Sequence, residues 1–229
     1  MRSNRAFWKN PFIVILATAI LYLASQVMGA VLVLPFVNFI PNKNIQYATI
    51  LFATFIAFCG FVSIAINTLG FKWKDIGVSG TKFKNFLLVI PVFFVYGIIS
   101  TVLTQLASRY PGFDINQAQE LGLNTAGLES VVPAFIMLVI ITPLFEEFLF
   151  RGVLFHGLRK RLPLLVSAFI TSIVFAAAHG QANVALDTFA LSMFLCLLVE
   201  RTRSIWPSVV LHAVKNFLAF GALFLGWFS

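Results

Sequence analysis

Long, nearly uninterrupted apolar runs fill this chain, and no other feature limits its fold as strongly. A helix needs about 20 apolar residues to cross the hydrocarbon of a bilayer. Runs of that order recur at 11–37, 46–69, 86–106, 131–156, 163–179, 184–199 and 205–227. Lipid offers the backbone no hydrogen-bond partner, so a segment that enters it must be helical or part of a closed barrel. A barrel requires short segments of strict alternation, whereas these runs are continuous. The soluble alternative fails on composition: 60% of the 229 residues are apolar and 10% charged, against about 25% charged in an ordinary soluble domain. The expected fold class is therefore all-α, a polytopic transmembrane helix bundle of about seven spans.

Sixteen Lys and Arg against eight Asp and Glu give a net charge of +8, which could suggest a nucleic-acid partner. Position argues for the lipid bilayer instead and against nucleic acid. With the N-terminus inside, the cytoplasmic segments hold Arg2, Arg5, Lys9, Lys72, Lys74, Lys82, Lys84, Arg159, Lys160, Arg161, Arg201 and Arg203. The other side holds Lys43 and Arg109, alongside Asp114, Glu120, Glu129 and Asp187. Lys and Arg accumulate on the cytoplasmic side of membrane proteins, so the pattern predicts N-terminus in and C-terminus out. The first run is too long for the core of a signal peptide and reads as a retained anchor. Cys59 and Cys196 lie inside apolar runs and read as small buried apolar residues. Trp8, Trp73, Trp206 and Trp227 fall near span ends, where aromatic-belt anchoring is expected. His156, among Arg159, Lys160 and Arg161, reads as interfacial. The longest connection, 107–130, contains Pro111, Gly112, Asn116 and Gly122 and reads as an irregular external loop.

Once loop charges are set aside, Glu146, Glu147, Arg151, His179, His212 and Lys215 remain within the runs. Each charged group costs roughly 2.5–3.5 kcal/mol at a bilayer centre, so the six should face the bundle interior and one another. All follow residue 140. The chain thus divides into 1–129, transmembrane helices with an external loop, and 130–229, helices equipped for chemistry, within one integral membrane unit. Glu147 and Arg151 are four apart and can form an intrahelical ion pair, which leaves Glu146, on another face, without that partner. His212 and Asn216 are also four apart and present two polar tips on one face. A carboxylate and an imidazole can activate water, while an imidazole N–H and an amide N–H can hold an oxyanion, so the set suffices for peptide hydrolysis. Lys215, at i+3 from His212, points close to the same place and can snorkel or pair with a carboxylate.

These residues fall into three motifs. Glu146-Glu147-Phe148-Leu149-Phe150-Arg151 is similar to the Glu-Glu-x-x-x-Arg motif of the CAAX protease and bacteriocin-processing (CPBP, or Abi) intramembrane proteases. Phe175-Ala176-Ala177-Ala178-His179 resembles their Phe-x-x-x-His, and His212-Ala213-Val214-Lys215-Asn216 their His-x-x-x-Asn. The resemblance covers about residues 130–220. It implies an endopeptidase acting within or beside the membrane on a membrane-embedded or lipidated peptide. Carried over residue by residue, it gives Glu146 with His179 as activators of water and His212 with Asn216 as the oxyanion hole, with Glu147 and Arg151 behind them. The family is often labelled metallopeptidase, and two His plus a Glu make a Zn²⁺ ligand set. A metal-free glutamate mechanism is the preferred reading, with no cofactor required, because no His-Glu-x-x-His helix is present and the oxyanion role already occupies His212. The resemblance also implies a cytoplasmic opening to the site.

The composition, rich in Phe, Ile and Lys, points to a bacterial cytoplasmic membrane. Relatives in the family are associated with maturation of peptide pheromones or bacteriocins and with self-immunity to bacteriocins. Two other classes compete. A non-catalytic immunity or scaffold protein would have no physical reason to keep an unpaired Glu146 in lipid. A transporter would show inverted repeats with broken helices in both halves, and the first half has no polar counterpart to the second. Depth sets one condition on the site. At about 1.5 Å per residue, Glu146 lies roughly 20 Å from Arg159 and His179 about 24 Å from Pro163, but His212 only about 10 Å from Ile205. A common level requires tilt, offset or a late start to the last helix.

Overall fold

A computed structural model describes residues 10–70, 72–114, 117, 123, 125 and 127–227. Among the described residues, seven apolar helices make up the bundle: α1 (Pro11–Val37), α2 (Lys43–Leu69), α3 (Phe83–Ala107), α4 (Leu128–Arg159), α5 (Leu164–Ala177), α6 (Ala182–Thr202) and α7 (Trp206–Phe224). Among the described residues there is no strand. Six of the seven helices are long and apolar enough to cross a membrane. The exception is α5, expected as a span over 163–179. Its 14 residues reach only about 21 Å at 1.5 Å per residue, short of a hydrocarbon core of about 30 Å. Arg2, Arg5, Trp8, Lys9, Asn116, Glu120 and Gly122 lie outside the described residues.

The two ends of the bundle differ in charge. At one end, the connection 72–82 is tied to the α6–α7 turn: Ile205 N–H donates to the Gly77 carbonyl (3.0 Å), and the Ser79 and Ser204 hydroxyls donate to the Arg203 and Ser79 carbonyls. Arg159, at the end of α4, pairs with Glu200 near the end of α6 at 2.9 Å. Lys72, Lys74, Lys82, Lys84, Arg159, Lys160, Arg161, Arg201 and Arg203 are thereby gathered at one end. At the other end, the Asn42 amide donates to the Glu129 carbonyl and the Ser130 hydroxyl, joining the start of α2 to the start of α4.

Packing differs along the chain. Helices α1 and α2 form a close hairpin in which Gly29 lies against Thr54; a Cβ on Gly29 would collide with Thr54 Oγ1 and stand 2.6 Å from its backbone nitrogen. The principal core joins Phe58 of α2 to Phe145, Leu149, Leu154 and Phe155 of α4 and to Phe175 and Cys196. Trp73 and Trp206 pack against this cluster, and Trp206 meets Phe148 edge-on at 5.8 Å, so core packing accounts for these two tryptophans. Helix α4 is not a uniform α-helix. It winds as a π-helix over Ile136–Ile141 and again over Glu147–Phe155, a local rewinding that recurs at functional sites.

Candidate active site

Glu147 and Arg151 form the expected pair, with Arg151 Nη1 2.8 Å from Glu147 Oε1 and neither side chain exposed. The π winding of this stretch does not separate them. The same Oε1 accepts a hydrogen bond from His212 Nδ1 at 2.9 Å, so one buried carboxylate oxygen joins a guanidinium on α4 to an imidazole on α7. A carboxylate can only accept, which puts the proton of the neutral His212 ring on Nδ1. His212 Nε2 then faces Glu146, whose Oε2 lies 3.6 Å away. That oxygen is buried with no hydrogen-bond partner among the described residues.

His179 does not end a helix, as the sequence suggests. It sits in the turn after α5, where Gly180 takes φ +68°, a left-handed conformation that glycine adopts without the Cβ penalty. The chain reverses there and α6 returns alongside α5. The His179 Nδ1 is 2.8 Å from the Phe175 carbonyl. A carbonyl only accepts, so Nδ1 carries the hydrogen and the neutral ring keeps its lone pair on Nε2. Phe175 separates the groups and orders them: its ring stacks edge-on with His179 at 4.9 Å and His212 at 5.9 Å, and Arg151 Cζ lies 4.5 Å over its face. The phenylalanine of the second motif thus touches the other two motifs.

Asn216 is fixed by a proline. In the π-helical register, residue i donates to i−5, as Thr142 N–H does to Met137. The next residue, Pro143, has no N–H to give, which releases the Leu138 carbonyl. The Asn216 Nδ2 takes its place at 2.9 Å. One amide N–H is committed to this bond and the second is left over.

Glu146, His179, His212, Lys215 and Asn216 all line one cavity of about 200 Å³, together with Thr142 and Thr188. Its remaining wall is apolar: Leu138, Val184, Ala219, Phe220 and Leu223. These residues lie beyond the level of Glu146 and His212, on the side of the weakly charged end of the bundle. Glu146 and His179 share the cavity without an ion pair among the described residues. Just before α7, Ser204 and Ile205 are wholly buried and bonded to the backbone of Ser79 and Gly77. The start of the last helix is thereby pinned to the 72–82 connection, and His212 Nε2 comes within 3.6 Å of Glu146 Oε2.

The sequence misplaced Asp187. Counted among the loop charges, it lies instead in the second turn of α6, with its Oδ2 3.3 Å from Lys215 Nζ. Its Oδ1 accepts from the Tyr96 and Ser100 hydroxyls at 2.6 and 2.5 Å. A cation placed within a span requires a counter-charge, and Lys215 was the signal that could have located Asp187. As to metal, no three His, Cys, Asp or Glu side chains among the described residues converge into a set that could hold an ion. Both imidazoles have Nδ1 committed, to Glu147 and to Phe175, which leaves Nε2 as the free nitrogen of each neutral ring.

Comparison with known proteins agrees with the motifs. Residues 128–218 match the family model described as Type II CAAX prenyl endopeptidase Rce1-like. The chain is 26% identical over 221 residues to the membrane-embedded CAAX protease MroQ of Staphylococcus aureus (strain USA300), covering 88% of this chain and 85% of that protein. It is also 26% identical over 112 residues to YdiL of Bacillus subtilis (strain 168), named as a candidate membrane peptidase; that match covers 47% of this chain and spans about half, 45%, of YdiL. No solved structure matches. The three motifs, the family match over 128–218 and the likeness to MroQ along most of the chain agree: the segment formed by α4–α7 of this membrane protein is similar to the CAAX proteases of the CPBP family.

Proposed function

We propose that this protein is an intramembrane endopeptidase in which Glu146 and His179 activate water and His212 and Asn216 hold the oxyanion. The observation that carries this reading is the convergence of three motifs, from helices far apart in sequence, on one cavity. Glu146 contributes a buried oxygen with no hydrogen-bond partner among the described residues. Such a group is costly to keep unless water or substrate completes its bonding. His179 offers the lone pair of Nε2 as a proton acceptor. As the water oxygen attacks the scissile carbonyl, its proton passes to Glu146 or His179, and the carbonyl electrons move onto oxygen. The free N–H of Asn216 and the Nε2 of His212 receive that charge. For Nε2 to donate, His212 must carry a second proton, and the Glu147 carboxylate on Nδ1 is the counter-charge for that imidazolium. Collapse then breaks the C–N bond, and the proton taken from water is returned to the leaving amine.

The substrate class that fits is a small membrane-embedded or lipidated peptide, as in pheromone or bacteriocin maturation or bacteriocin self-immunity. A scissile bond reaches this depth only if its carrier enters the bilayer. By the positive-inside rule, the basic end faces the cytoplasm of a bacterial membrane, with the N-terminus in and the C-terminus out. On that orientation the apolar wall of Leu138, Val184, Ala219, Phe220 and Leu223 lies on the outer side of Glu146.

The test compares peptides in membranes of cells carrying the wild-type chain or Glu146→Gln at equal expression. A defined cleavage product should be present with the wild type and absent with the variant. Matching profiles, with a resistance or signalling phenotype retained by both, would make the chain a binding protein on a protease fold.

A further inference from the structure

The catalytic scheme leaves one charged group on the cavity wall without a task. Lys215 lies one helical turn from His212 and next to Asn216, and it lines the cavity that holds Glu146. Among the described residues its one acceptor is Asp187 Oδ2 at 3.3 Å, and an ammonium has three N–H donors. Two are therefore left. Asp187, by contrast, is over-supplied: besides the ammonium, its Oδ1 takes the Tyr96 and Ser100 hydroxyls of α3. Held by two hydroxyls from another helix, Asp187 stays in place whether or not it has the full attention of the ammonium. A lysine without such an anchor would extend toward water. With it, the cation is kept beside the reacting groups, where Arg151, wholly buried behind Glu147, cannot reach a ligand. Beyond Lys215 the wall turns apolar at Ala219, Phe220 and Leu223.

We infer that Lys215 is a carboxylate-binding residue of this cavity, receiving an anionic group of the peptide, at its C-terminus or on a side chain, about one helical turn from the bond that is cut. Asp187 is its positioning residue. The inference rests on the peptidase reading, but it concerns binding and can be read without turnover. It predicts a substrate with an acidic group flanked by apolar residues, the first to meet Lys215 and the second to fill the wall beyond it.

The experiment uses the full chain in nanodiscs of zwitterionic phosphatidylcholine, so that lipid charge does not bias an anionic probe. Three probes are compared by ligand-induced thermal stabilisation across a concentration series: N-acetyl-Leu-Leu as the free acid, the same dipeptide as its C-terminal amide, and N-acetyl-Glu-Leu-amide. The wild type should bind one of the carboxylate probes about tenfold more tightly than the neutral amide, the size of one charge-assisted hydrogen bond. Preference for the free acid identifies a C-terminal carboxylate, and preference for the glutamyl probe a side-chain carboxylate. Lys215→Arg should keep the preference. Lys215→Met should lose it, and so should the double variant Asp187→Asn/Lys215→Met, which removes the lysine without leaving an unmatched acid. Glu146→Gln, measured in parallel, should keep it while losing hydrolysis, so the peptidase reading and the carboxylate site can fail separately. Equal binding of all three probes by the wild type, no binding of any, or a preference that survives both methionine variants would overturn the inference.

Discussion

The hairpin of α1 and α2 and the group α4–α7 are both built from apolar helices, yet they are held together in different ways. In the hairpin, close approach of backbones does the work: Gly29 admits Thr54 at distances no side chain would allow, as small residues do at helix contacts in lipid. In α4–α7 the decisive contacts are polar and buried, with Glu147 joining Arg151 to His212 and Asn216 joining α7 to a carbonyl freed by Pro143. Burial of charge is not needed to hold helices in a membrane, since the first two do without it. Its concentration in the second group, around one cavity, argues that it was kept for chemistry. Helix α3 stands between the two, a mostly apolar helix whose Tyr96 and Ser100 meet Asp187.

This contrast can be broken in four places, in order of decreasing effect. His212→Ala removes an oxyanion donor and should lower turnover by ~10²–10³, measured on a processed peptide with the purified protein; an unchanged rate would take His212 out of the site. Arg151→Ala leaves the buried Glu147 with only His212 and should cost about 3–5 kcal/mol of stability, read by thermal denaturation in detergent. Tyr96→Phe removes one hydroxyl from Asp187 and should cost about 1.5–3 kcal/mol in the same assay, showing how far α3 depends on the polar network. Gly29→Val overpacks the hairpin and should cost about 1–3 kcal/mol while turnover per folded molecule stays at the wild-type value. A loss of turnover there, at full folding, would erase the division between the two regions.

Much of this architecture is legible in the sequence because lipid leaves so few choices. The apolar runs mark the helices, and their order together with the basic clusters marks the two ends. The intrahelical pair of Glu147 and Arg151 follows from spacing, and the three motifs name Glu146, His179, His212 and Asn216 as residues that should meet. What spacing could not supply was depth and register. Helix α5 stops after 14 residues and puts His179 in a turn, and the start of α7 is pinned by backbone bonds to Gly77 and Ser79 that no local pattern announces. The π winding of α4 was equally hidden, although Pro143 carried its trace. Asp187 was misread because it lies near the start of a helix, where an acidic residue usually belongs to a loop or to solvent. Only the unmatched cation at Lys215 pointed to it.

The central claim is that two adjacent glutamates on one helix serve different ends, Glu146 the reaction and Glu147 the architecture. Its most direct test measures hydrolysis and thermal stability together for Glu146→Gln and Glu147→Gln, each reconstituted as the full chain in the same lipid. The account predicts that Glu146→Gln melts as the wild type does and hydrolyses nothing, while Glu147→Gln melts well below it. Wild-type hydrolysis by Glu146→Gln, or an equal loss of stability in both variants, would contradict it.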